Sequence, residues 1–252
     1  MRTTATLLMW VIVSWFSAAP VAQVPGGTAA KALGFFHALP TRNPDTALRL
    51  LRPPPVGADE RARALAVLPE RGELQPDRHE RVKLATFEDV LAYHERGRIF
   101  ETKVIDVPQV VVALHQRAVL LISRPALRLL SGAELQALVA HEVGHDYFWP
   151  EFERTLAGGD RLGRQELELK CDGIAVLTLA ALGLDLARLA DGLRKQARFN
   201  ETLGANANAA DYPHLDERQQ FIMALRGFAS SGQDGIQPGL NAGRNRARRQ
   251  RM

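Results

Sequence analysis

His141 and His145 stand four residues apart, with Glu142 beside the first, in the run His141-Glu142-Val143-Gly144-His145. On a helix, residues four apart share a face, so both imidazoles can reach one metal ion. Glu142 then projects where a carboxylate can take a proton from a water activated by that ion. The flanks favour a helix. Ser131 and Glu134 fit a capping box, and Leu135, Leu138, Val139 and Val143 follow at helical spacing. Pro150 is expected to close the segment. The competing reading is a core helix whose histidines are only hydrogen-bonded.

A catalytic zinc takes three protein ligands and keeps one position open. The third is sought in Glu166-Leu167-Glu168-Leu169-Lys170-Cys171-Asp172-Gly173, which runs into the apolar stretch Ile174 to Leu182, read as a buried helix. Glu168 and Asp172 share a face. Glu168 can ligate while Asp172 accepts the free N–H of a ligating histidine, which fixes the tautomer. Glu166 is the competitor. It lies roughly 200° around the helix from Glu168, so only one of the two faces the metal. The pairing with Asp172 favours Glu168. Cys171, between them, reads as a small buried side chain facing away.

The stretch from Leu130 to His145, followed by Glu168 and Asp172, resembles the HtpX and CAAX-prenyl-protease family of gluzincin metallopeptidases. The carrying elements are Glu134-Leu135 ahead of Ala140-His141-Glu142-Val143-Gly144-His145, then Glu168-x-x-x-Asp172, then Gly183-Leu184-Asp185, then Pro213 with Arg218. The match covers about residues 99–228. It implies zinc ligands His141, His145 and Glu168, one Zn2+ per chain, with Glu142 as general base and Asp172 in support. It also implies a mainly helical α+β fold, a zincin-like domain with a small β-sheet edging the cleft. Arg218 is expected as a structural ion-pair partner.

Two departures stand out. The family places a histidine directly before the late proline, where this chain has Tyr212; its phenol can still donate to an oxyanion. His214, just after the proline, is the runner-up, and a packing role is the plain alternative for Tyr212. The family's Asn-containing edge strand is also missing. Here Gln109 to Leu114 and Arg117 to Ile122 read as a β-hairpin around His115-Gln116. One strand is expected to offer a free edge to an extended peptide; the alternative is a plain buried sheet with no binding role.

The chain of 252 residues has room for one sizeable domain. Arg2, the apolar run Leu7 to Phe16 and the small residues up to Ala22 fit a signal peptide over 1–22, so export to the periplasm or outside the cell is expected. No later stretch reads as transmembrane, unlike the multi-span relatives of the family. The single cysteine excludes an intrachain disulfide. Residues 23–98 read as a helical region of unassigned role, with helix candidates at Ala32 to Phe36, Thr46 to Leu51, Asp59 to Leu68 and Glu88 to Arg96. Further helices are expected over Asp185 to Asn200 and Leu215 to Phe228, with a loop from Thr202 to Asp211. Residues 229–252, with five arginines from Arg244 to Arg251, read as a disordered basic tail. It is either a solvated tail or a weak contact for anionic surfaces; export argues against nucleic acid. Taken together, these features point to a zinc metalloendopeptidase acting on protein or peptide substrates of the envelope or outside the cell, in the manner of protein quality control. The rivals are a catalytically silent binding or chaperone-like module and a metal-free helical protein.

Overall fold

The computed structural model describes residues 27–68, 73–205 and 211–231. The expected signal peptide and all of the basic tail after Ser231 lie outside the described residues, as does most of the expected loop before Asp211. The chain folds as α+β and is mainly helical, with one small mixed sheet. No described helix is long and apolar enough to cross a membrane.

The centre is a helix of 22 residues, α9 (Arg161–Leu182), in which every residue from Leu167 to Leu179 is buried. A helix apolar on all sides must be surrounded. Around it pack α1 (Thr28–His37), α2 (Pro44–Leu51), α7 (Gly132–Tyr147), α8 (Trp149–Ala157) and α11 (Leu215–Ser231). Asp160 caps its start by accepting from Gly163 N–H, and Gly183 ends it at φ 68°, a conformation that favours glycine. One continuous core runs from Ala29 to Phe228. Phe36 of α1 lies so close to Gly173 that a Cβ there would come within 2.2 Å of the ring. Helices α1 and α2 therefore share the core of the helices that carry the site.

The sheet has the order β1 (Glu73–Leu74), β2 (Glu101–Ile105), β4 (Val119–Ser123), β3 (Val112–His115). β2 and β4 run parallel, with Glu101 opposite Val119; β3 and β4 form the expected antiparallel hairpin, with Val112 opposite Ile122. Among the described residues β3 is an edge, and it packs on α7. The hairpin turn falls one residue later than the spacing suggests. His115 ends β3, and Gln116 and Arg117 take left-handed φ of 44° and 58°. Such backbone costs on the order of 1 kcal/mol or more per non-glycine residue. Arg117 is held there by its guanidinium, which binds Asp146 Oδ1 at 2.6 Å and the Pro54 carbonyl at 2.9 Å.

Other boundaries also moved. Pro150 does not close the catalytic segment: Phe148 leaves the helix, and Pro150 sits in the first turn of α8, where its missing N–H costs nothing. The helices α3 (Ala58–Ala66), α5 (Glu88–Tyr93) and α10 (Ala187–Thr202) match their expected positions within a few residues. Besides α8, two short helices were not expected. α4 (Arg78–Ala85) has a complete capping box from Asp77 and Glu80, and α6 (Arg124–Leu129) is capped by Ser123 with a proline in its first turn. Helix α11 extends through Ser231, so the first three residues assigned to the basic tail are helical.

Candidate metal centre

Three buried side chains converge where α7 crosses α9. His141, His145 and Glu168 offer one donor atom each, and these lie within 4.8 Å of one another. The capping box fixes where α7 begins: Ser131 Oγ accepts from Glu134 N–H at 3.2 Å, and Glu134 Oε2 accepts from Ser131 N–H at 2.8 Å. Glu134 also binds Lys195 of α10. Gly144 then decides how close α7 comes to α9. A Cβ at this position would sit 2.6 Å from the Cα of Cys171, closer than packing allows. The glycine of the motif is thus the contact point that brings Glu168 up to the histidines.

His141 Nε2 lies 3.4 Å from Glu168 Oε2, and His145 Nε2 lies 3.6 Å from Glu168 Oε1. The rings of the two histidines are 5.1 Å apart and nearly perpendicular. Behind His141, its Nδ1 lies 2.9 Å from Asp172 Oδ1. A proton on Nδ1 donated to this carboxylate fixes the ring with Nε2 turned toward Glu168 and His145, where it can bind an ion once its own proton is lost. Asp172 is held in turn by Arg218 of α11, whose Nε and Nη2 donate to its two oxygens at 2.8 and 2.6 Å. His145 has no such partner: its Nδ1 is buried without a hydrogen bond, and its ring packs edge-on against Phe152.

Burial and the neighbouring charges set the charge of each donor differently. Burial alone would push Glu168 up, but His141, His145 and Arg218 outweigh it and hold the carboxylate ionised. Burial would push His141 down; Asp172 and Glu168 reverse the sign and raise it, so the group gathers positive charge. For His145 burial wins, lowering it to about 4 and keeping its ring neutral, as a ligand must be. Two imidazole nitrogens and a carboxylate oxygen, buried and aimed at one point, suit a divalent ion of the first transition row or zinc. This donor set could hold a metal ion.

Glu142 projects into the cleft beside this group, and its Oε2 accepts the Leu114 N–H of β3 at 2.9 Å. Burial raises its carboxyl to about 7, and the charge of Glu168 adds to the effect, while His141, the Leu114 N–H and Arg218 oppose it. The competitor Glu166 is turned away; with Glu151 it holds Lys170, each at 2.8 Å. Cys171 is buried, and its thiol is pushed well up by that burial.

Tyr212 and His214 separate. Tyr212 is half-buried and lines the same cleft as His141, Glu142 and Glu168, and burial raises its phenol well above its ordinary value, so it stays protonated and able to donate. His214 is exposed and does not line the cleft. The cleft holds about 130 Å³ and has a wall that motif reading did not supply: Trp149 and Phe152 from α8, Leu193 and Gln196 from α10. The three-residue spacing of Trp149 and Phe152 was the available signal, hidden by reading Pro150 as a terminator. No family model, no curated protein and no solved structure matches the chain.

Proposed function

We propose that the chain is a zinc-dependent metalloendopeptidase of the HtpX and CAAX-prenyl-protease kind, with a zincin-like arrangement of helices and edge strand. The observation that carries this is the position of Glu142. A carboxylate with a raised pKa stands beside two histidines and a glutamate, in a cleft bordered by β3, an edge strand among the described residues. His141, His145 and Glu168 would hold the zinc, one per chain. When bound, the ion supplies Lewis acidity, which makes water a nucleophile near neutral pH and polarises a carbonyl. Glu142 takes the proton of the attacking water and delivers it to the leaving amine. Its hydrogen bond to Leu114 N–H ties that proton shuttle to the strand along which a peptide would lie. Tyr212 donates its phenol hydrogen to the carbonyl oxygen as charge develops there. Asp172 and Arg218 keep the His141 ring oriented. The substrates are proteins or peptides of the envelope or outside the cell, reached by export through the N-terminal segment, with protein quality control as the setting.

The test is zinc content together with proteolysis of reduced, carboxymethylated casein, with and without a chelator. Wild-type protein is expected to carry about one zinc, the capacity of one such site, and to lose both metal and activity on chelation. Glu142→Gln should keep zinc and fold and lose activity by several orders of magnitude, since the water loses its proton acceptor. Undiminished turnover in that variant would overturn the mechanism. Tyr212→Phe should lower kcat by roughly 10- to 1000-fold with little change in KM or zinc, the mark of a transition-state contact. His214→Ala, at an exposed position, should stay near wild type; the reverse pattern would transfer the role.

A further inference from the structure

Helix α10 lays two side-chain amides against Val110, two residues before β3 in line with the edge of the sheet. Gln196 and Asn200 stand four apart and share one face. Asn200 Oδ1 accepts the Val110 N–H at 2.8 Å, and its Nδ2 donates to the Val110 carbonyl at 3.0 Å. Gln196 Nε2 donates to the same carbonyl at 3.3 Å. A primary amide that accepts and donates to one residue does what a residue of a neighbouring strand does. Both partners are dry: Val110 is 0% and Asn200 2% exposed.

Strand alternation shows what remains. Val111 faces β4, with its carbonyl accepting Ser123 N–H and its own N–H donated to Ser123 Oγ. Val110, Val112 and Leu114 therefore turn their backbone groups to the open side. The Val110 pair is taken by Asn200, and the Leu114 N–H by Glu142. Between these two fixed points, the N–H and C=O of Val112 and the carbonyl of Leu114 are what an incoming strand would meet.

We propose that Asn200 is a plug that ends the substrate-binding edge. It fills the place of the next strand residue at Val110 and so sets how far, and in which register, an extended peptide runs along β3 toward Glu142. This rests on the peptidase reading of the same cleft. Asn200 is a positioning residue; it reaches the substrate only by denying it Val110. On the side of the scissile bond toward Val110, backbone recognition stops after the residue that pairs with Val112, and the peptide must then leave the edge.

The test uses the zinc-loaded full chain and two ladders of peptide hydroxamates, one growing from each side of the metal-binding group, one to four residues long. Calorimetry measures the affinity of each. In wild type, one ladder should level off within about three residues, where the edge is plugged. In Asn200→Ala the levelled ladder should regain roughly 10-fold at the next residue, the effect of two net backbone hydrogen bonds. Two ladders that both keep tightening through four residues in wild type would overturn the plug, whether or not the variant folds. So would a levelled ladder that Asn200→Ala leaves unchanged. Failure of acetohydroxamate itself to bind is a different result: it removes the metal-centre reading, and the plug with it.

Discussion

Two fully buried aspartates, Asp146 and Asp172, are each joined to arginine, and they do different work. Asp146 follows His145 directly, yet points the other way. Its oxygens bind Arg96 Nε at 2.7 Å and Arg117 Nε at 2.6 Å. Further donors of those arginines end on the carbonyls of Pro53, Pro54 and His94. These bonds join three separate segments, so the cluster clasps the proline segment before α3 and the hairpin turn to α7. Asp172 binds one arginine, Arg218, and one histidine, His141. This line does not close on itself; it ends at His141 Nε2, which faces the open donor centre. The same charge chemistry is a clasp when its bonds only join segments of the fold, and a support when one partner has a second nitrogen left to work with.

The largest effect should come from breaking the clasp. Asp146→Ala leaves two arginines without their carboxylate, one of them 2% exposed, and should cost about 3–5 kcal/mol of stability. Zinc affinity of the folded fraction should stay at the wild-type value. Denaturant unfolding and a chelator competition read the two quantities separately. Loss of zinc affinity in folded protein would erase the distinction between the clusters.

The matching change at the other aspartate is smaller and of a different kind. Asp172→Asn keeps an acceptor for His141 and loses the charge. It should weaken zinc binding by roughly 10- to 100-fold, the usual effect of removing a supporting carboxylate. If the variant binds zinc as wild type does, the support role falls.

The last effect is a pH slope on the clasp side. His94 is fully buried, with Nδ1 on Tyr147 at 2.8 Å and Nε2 on Thr178 at 2.9 Å. Burial, aided by the charges of Arg52 and Arg96, lowers its pKa from 6.5 to about 3. Between those values the unfolded chain binds a proton that the folded chain does not. Stability from this group is therefore complete above pH 6.5 and is lost as pH falls, by at most about 1.4 kcal/mol per pH unit. In metal-free protein, His94→Gln should flatten the stability curve between pH 6 and about 4 relative to wild type. Parallel curves would show that His94 carries no such linkage.

Reading the sequence worked where the chemistry is local and periodic. The spacing of His141, Glu142 and His145, the capping box at Ser131 and the pairing of Glu168 with Asp172 all follow from helical geometry, which a few consecutive residues determine. The choice of Glu168 over Glu166 was of this kind, and the structure puts Glu166 on Lys170 instead. Motif reading failed at Pro150, because a proline fits equally after one helix and in the first turn of the next. It also failed at β1, whose two residues are too few to show alternation.

By itself, the sequence determined which groups could meet one ion and which end of α7 they occupy. Tertiary structure alone decided which distant residues pair with one another around them. Arg218 reaches Asp172 across 46 residues, Asn200 reaches Val110 across 90, and Arg96 reaches Asp146 across 50. No periodicity connects such pairs. They are set by how α9 is surrounded, and by the close crossing that Gly144 permits between α7 and α9. Packing, which minimises voids over the whole core, brings them together.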